Sequence, residues 1–270
     1  TRLHRADCFG FRLFARRLRS KCGVLNTTRQ RCQDWLKLPD ESLVQAKRQQ
    51  LDCILQACLG LYVETTLARA KVVPGETMLL KHSVIVRAGD VPVRWTGVQY
   101  PATDTSMALE AELTFNQPDA RESSVTLPED TPLTQPYWLR RDGTVGMFHV
   151  DDPALIGQPD NPPAFPIEHV FEVDGETLVV TDSPVQLIDD PVRGEVRHPL
   201  EVVPPVTLSF GNTLELFTPG STRTISVNVS AVRPQLSGTL QLAAPAGWTI
   251  RPARQPFTTD EKGNGMRLEF

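Results

Sequence analysis

The sequence is most informative first in what it lacks. No run approaches the roughly 18 consecutive apolar residues that a membrane-spanning helix requires, so no membrane span is expected. Cysteine is absent after Cys58: all five cysteines (Cys8, Cys22, Cys32, Cys53, Cys58) lie in the first 58 residues, at spacings that match neither a zinc knuckle nor a CxxC pair. That excludes a familiar metal framework, and the apolar surroundings of Cys53 and Cys58 predict buried thiols. No Gly-rich phosphate loop, nucleophile elbow, low-complexity tract or exact internal repeat occurs. Aromatics make up only 7% of the chain, which makes their local concentration worth following. From about Val63 onward no helical period persists, which excludes an α/β architecture with crossover helices.

What is present is a chain of 270 residues, 40% apolar and 22% charged, the balance of a water-soluble globular fold of several domains. The formal net charge of −4 is segregated: residues 1–40 carry ten Lys/Arg against three Asp/Glu, a surplus of +7 that leaves −11 for the remainder. Arg16, Arg17, Arg19 and Lys21 are interleaved with Phe11, Leu13, Phe14 and Leu18. That pattern reads as an amphipathic helix docking on a neighbouring surface rather than as a nucleic-acid site. The opening at Thr1 reads as a cut N-terminus, and the closing GMRLEF as a strand that stops in mid-pattern.

A helix is predicted from about 41 to 58, capped by Asp40 and stopped at Gly60. Strands follow. In VVPGETMLLKHSVIVRAGD, Leu80, His82, Val84 and Val86 share one face after a Pro74-Gly75 turn, opposite Leu79, Lys81, Ser83, Ile85 and Arg87. PVRWTGVQY, MALEAELTF, GTVGMFHV, IEHVFEV and TLVV are further strands, with a type I′ turn at Asp174-Gly175. Dense prolines between Pro128 and Pro205 predict irregular edges and long loops. Beyond the stiff EVVPPV hinge, VTLSF, TLELF, RTISVNVSA, GTLQLAA and WTI predict a second β unit, with Trp248 as a core plug between sheets, the alternative being an exposed platform for stacking on a sugar. The fold class is therefore mainly β: two antiparallel, Ig-like sandwich units preceded by a short helical segment. The domains are a helical segment over 1–62, a proline-rich sandwich over 63–205 and a small sandwich over 206–270.

Three constellations could carry chemistry. His149-Val150-Asp151-Asp152 offers metal-ligand types, but no further His lies at helical spacing, and a strand end followed by an Asp-Asp-Pro turn accounts for it. Asp189, Asp190, Glu195 and His198 could serve a hydrolase as paired carboxylates with a base; the competing reading is a tight turn at Asp-Pro and Gly194, with Arg193 and Arg197 neutralising the acids. Tyr137, Trp138, Arg140 and Arg141 could stack on a sugar or grip a carboxylate, as a carbohydrate-binding module would, or the two rings could anchor a loop.

TQPYWLR, FHVDDPALIGQPDNPP and DDPVRGEVRHPLEVVPPV, in this order and spacing, resemble the region downstream of the catalytic domain in large bacterial LmbE-like proteins of the PIG-L family of zinc-dependent N-deacetylases. Gly60-Leu61 and Pro74-Gly75 fit the same pattern, and 206–270 is similar to the NEW3-type sandwich found beside glycan-processing enzymes. The resemblance spans about 40–270. It implies a non-catalytic accessory region whose partners are a catalytic deacetylase domain of the same parent chain and a glycan, in a periplasmic or secreted bacterial protein. The family's zinc site needs an Ala-His-Pro-Asp-Asp strand end in a Rossmann-like domain. HVDD lacks the Pro, so no catalytic or metal residue is carried over, and zinc is implied only for the catalytic domain.

Overall fold

The computed structural model describes residues 41–259 and 265–270, with side chains in the first helix from residue 47. The expectations for the basic segment, Cys8, Cys22, Cys32 and the Asp40 cap lie outside the described residues. The chain is mainly β and divides into two units. The first comprises the described residues up to 70 with 76–128 and 135–200, and the second 71–75, 129–134 and 201–270.

The first unit opens with helix α1 (Glu41–Leu59). Gly60 (φ +55°) ends it in a Schellman motif: Gly60 N–H donates to Ala57 O at 3.1 Å and Leu61 N–H to Gln56 O at 3.0 Å. Any side chain at Gly60 would meet Arg87 Cβ at 2.8 Å. Among the residues of this helix whose side chains are described, Leu55 and Leu59, one turn apart, are buried. Cys53 is exposed and Cys58 half-buried, which corrects the expectation of buried thiols: the buried stripe is narrower than the apolar content suggested, and Cys53 and Ile54 fall outside it.

Two sheets follow. One joins β1 (Tyr62–Leu67), β3 (Thr77–Ile85), β6 (Asp119–Thr126), β9 (Val185–Asp190) and β10 (Gly194–Pro199) in the order β10-β9-β1-β3-β6. The other joins β4 (Val93–Tyr100), β5 (Thr105–Glu112), β7 (Ile167–Val173) and β8 (Glu176–Asp182) in the order β5-β4-β7-β8. All neighbours are antiparallel except β1 and β9, which meet in parallel at Thr66 and Val185. The predicted faces are the observed ones: Leu80, His82 and Val84 are buried, whereas Leu79 and Lys81 are exposed. On β7, Ile167, His169, Phe171 and Val173 point inward. Asp174 (φ +52°) and Gly175 (φ +83°) form the predicted I′ turn.

A β-bulge between Trp95 and Gly97 shifts the register of β4 against both neighbours. It lets Trp95 and Val98, three residues apart and so on opposite faces of a regular strand, both point inward and lose all solvent contact. A Cβ at Gly97 would stand 2.9 Å from Met107 O, so the bulge holds the paired strand too close for a larger residue.

GTVGMFHV forms no strand. It keeps one isolated bridge, Thr144 with Met147, because Gly146 (φ +85°) folds it into a tight turn. MALEAELTF pairs earlier than expected, over 105–112, and β6, whose DARESSVT sequence suggested no strand, is an added one.

The second unit pairs β12 (Val206–Phe210), β13 (Ser226–Ala231) and β16 (Met266–Glu269) in the order β12-β13-β16, and separately β14 (Ser237–Leu240) with β15 (Gln255–Thr258). Val227, Val229, Leu240, Phe257, Leu268 and Phe270 form its core. The predicted alternation of RTISVNVSA is realised in the buried Val227 and Val229. TLELF and WTI are irregular, and Trp248 is 53% exposed rather than a core plug; Phe257 and Phe270 fill the interior assigned to it. A short parallel pair, β2 (Lys71–Val72) with β11 (Glu201–Val202), completes the unit. Thr134 closes on it, donating its N–H to Val202 O at 2.8 Å and accepting from Val202 N–H at its hydroxyl at 2.9 Å.

Candidate functional site

Between β6 and β7 the chain runs some 40 residues with only two short 3-10 turns, Tyr137–Leu139 and Pro153–Leu155. Loops of this length without regular structure are uncommon and are usually functional. This one is stapled at its neck. Asn161 Oδ1 accepts from Tyr137 N–H at 2.9 Å, and Asn161 Nδ2 donates to Gln135 O at 2.7 Å. The Tyr137 hydroxyl donates to Gln158 O at 3.1 Å. Tyr137 is 8% exposed and its ring meets the half-buried Trp138 edge-on at 4.8 Å.

The aromatic pair therefore anchors the loop, and Tyr137 has no free face on which a sugar could stack. Arg140 is exposed, and Arg141 is drawn into the loop by Asp151 Oδ1 at 3.0 Å and by His149 Nε2 at 3.3 Å. An arginine donating to His149 works against a cation there. Asp152 Oδ1 accepts from Ala154 N–H at 2.9 Å and caps the second 3-10 turn, so HVDD is turn chemistry. Beyond the staple Val145, Met147, Phe148 and Ile156 present exposed apolar side chains.

Asn161→Ala should remove two of the three neck hydrogen bonds at a local cost of about 1–3 kcal/mol, much of it from the stranded Tyr137 N–H. Limited proteolysis read by mass spectrometry should then show faster cleavage within 140–155 at unchanged global stability. Unchanged cleavage would mean that the neck does not hold the loop.

Asp189, Asp190, Glu195 and His198 lie on the β9–β10 hairpin, divided between its two faces. Asp189 opposes Glu195 and His198 opposes Gln186. By strand alternation Asp189 and Glu195 share one face, and Asp190 and His198 the other. Asp190 Oδ1 accepts from Val192 N–H and Arg193 N–H, each at 2.8 Å, and these bonds hold its carboxyl below the usual range. Arg197 Nη2 lies 2.7 Å from Glu64 Oε1 and 3.5 Å from Glu195 Oε1. The turn reading describes Asp190, and Arg197 lies beside Glu195 on the face that Glu195 shares with Asp189.

A third group, unanticipated as a cluster, lies in the sandwich interior. His82 from one sheet and His169 from the other are both fully buried, ring centroids 5.3 Å apart, with Thr65 between them. The Thr65 hydroxyl is 3.1 Å from His82 Nδ1 and 3.2 Å from His169 Nε2. His82 Nε2 reaches Tyr100 Oη and Ser123 Oγ, each at 2.9 Å, and Tyr100 donates to Ser123 at 2.7 Å.

One hydroxyl proton cannot serve both imidazoles, so the tautomers are linked. One ordering that fits these distances has His169 Nε2–H donating to Thr65, Thr65 donating to His82 Nδ1, and His82 Nε2–H donating to the Tyr100–Ser123 oxygens. This ordering leaves the acceptor His169 Nδ1 without a hydrogen-bond partner, like Asp182 Oδ2, which lies 4.0 Å from His169 Nε2. Burial lowers His82 to about 4; burial and then the neighbouring His82 lower His169 to about 3; burial raises Asp182. Trp95 and Phe171 pack on His169 at 5.7 and 6.5 Å. Both imidazoles are shielded from solvent, and the Thr65 hydroxyl links them across the two sheets. The sequence signal was the period-two alternation that put His82 on one face with Leu80 and Val84; the same alternation along IEHVFEV holds for His169 but was not followed there, and a pairing 87 positions apart was not readable.

Among the described residues no three His, Cys, Asp or Glu side chains are grouped to hold a metal ion, and no helix is long and apolar enough to cross a membrane. No protein-family model matches the chain, and no curated protein matches it significantly.

Proposed function

We propose that this chain is the accessory, non-catalytic β region of a PIG-L/LmbE-like zinc-dependent N-deacetylase acting on N-acetylated sugars or glycans, and that its stapled loop docks against the catalytic domain. The observation behind this reading is that two of the three segments carrying the resemblance cooperate in one device. Gln135 and Tyr137 come from TQPYWLR, and Gln158 and Asn161 from the FHVDDPALIGQPDNPP run; together they close the loop neck. Closing the neck has a purpose if the loop must present a fixed outward surface, here Val145, Met147, Phe148 and Ile156. The zinc belongs to the catalytic domain, and no step of the chemistry is assigned to residues of this chain.

The decisive observation is the reading frame ahead of Thr1, which should encode an Ala-His-Pro-Asp-Asp strand end; a frame without it removes the reading. In the full-length protein, the Met147→Ser/Phe148→Ser pair should lower zinc-dependent acetate release from N-acetylated oligosaccharides about tenfold or more, the scale of losing an interface hot spot. The thermal stability of the β units should stay unchanged. Full activity in this variant would show that the loop does not dock there.

A further inference from the structure

The second unit contains a groove of about 720 Å³, within its own bounds, whose size suits a small ligand. Trp248 stands at one side, lifted on the turn that Gly247 (φ +96°) makes, and meets Phe217 at 4.8 Å with the ring planes 86° apart. The two rings form an aromatic corner, and more than half of Trp248 remains open to solvent.

Polar groups line the same groove in a prearranged set. Glu215 is held by a hydrogen bond from Asn212 Nδ2 and by Arg223 Nη1 at 3.5 Å. Thr222 and Thr249 add hydroxyls, and Arg251 contributes a guanidinium that has no ion-pair partner among the described residues. With Arg223 compensated by Glu215, the lining carries one surplus positive charge. An amphipathic ring for the C–H face of a pyranose, neutral donors and acceptors for its hydroxyls and one unpaired guanidinium for a carboxylate make a consistent recognition set.

We infer that this groove binds an acidic oligosaccharide, a glycan bearing uronic-acid residues, with a pyranose ring on Trp248 and a carboxylate on Arg251. This goes beyond the accessory-domain reading and does not depend on it, since it is tested by binding and not by deacetylation. Calorimetric titration of the whole chain should show binding of trigalacturonate that weakens with added salt, and no comparable binding of maltotriose or of a triglutamate peptide.

Trp248→Ala should abolish the binding, Trp248→Tyr should keep most of it, and Arg251→Gln should weaken it about tenfold, the scale of one charge-assisted contact. Melting temperatures equal to the parent's identify which variants report on the site; if Trp248→Ala does not fold, Trp248→Tyr and Arg251→Gln carry the comparison. The inference is overturned if trigalacturonate fails to bind, if Arg251→Gln or Trp248→Ala binds it as the parent does, if maltotriose binds equally well, or if the peptide binds in its place.

Discussion

Replacing Trp95 with Ala is expected to lower the unfolding free energy of the first unit by about 3–5 kcal/mol, the range for deleting a buried aromatic side chain. The indole is fully buried, packs on His169 and Phe171, and donates its Nε1–H to Gly97 O at 3.1 Å across the bulge. The substitution opens a void in the sandwich centre, removes the hydrogen bond to the Gly97 carbonyl and strips cover from a neutral imidazole. Against a typical domain stability of about 5–15 kcal/mol this is a large share. Urea denaturation followed by circular dichroism measures it, with Trp95→Phe expected to lose distinctly less. A loss below about 1 kcal/mol would contradict the packing described.

Acid should act on the same interior. The ordinary histidine value is 6.5, and in the folded chain His82 is lowered to about 4 and His169 to about 3. As pH falls from about 6.5 toward 4, the unfolded chain takes up protons that the folded chain refuses, so each histidine removes up to about 1.4 kcal/mol of stability per pH unit. The contribution is complete above the unfolded value and is lost as pH drops toward the folded ones. Asp182, raised by burial, works in the opposite sense: it binds a proton in the fold before it does in the unfolded chain and returns part of the loss. Glu64 adds to that upward push on Asp182.

The net expectation is a fall on the order of a few kcal/mol between about pH 6.5 and 4, roughly halved in His169→Phe. Urea midpoints across that window test it. A flat profile in the parent, or an undiminished slope in His169→Phe, would sink the account.

Where an inward face was apolar, the sequence could be read. Leu80 and Val84 on β3, Ile167, Phe171 and Val173 on β7, and Val227 and Val229 on β13 announce their burial by alternation alone. The same rule fails on β6, where the inward positions include Ser123, committed to His82, and only Val125 is a buried apolar residue. Its pattern is polar because its core partner is polar.

Composition also misplaces Trp248. A lone Trp after Pro-Ala-Gly looks like a plug, yet Phe257 and Phe270, supplied later in the chain, already fill that space. At the loop, the Tyr-Trp pair after a proline was legible as an anchor, but the partners Gln158 and Asn161 lie more than 20 positions away. No local pattern encodes that closure.

The makeup of the second unit bears on modularity. Its residues come from three separate stretches, 71–75, 129–134 and 201–270, so the backbone passes between the units five times. No single cleavage can part them, and a gene segment starting at residue 206 would leave behind both strands of the β2–β11 pair and the Thr134 clasp. A sandwich assembled in this way cannot be shuffled between proteins as a contiguous cassette; it must be inherited together with the unit through which it is threaded.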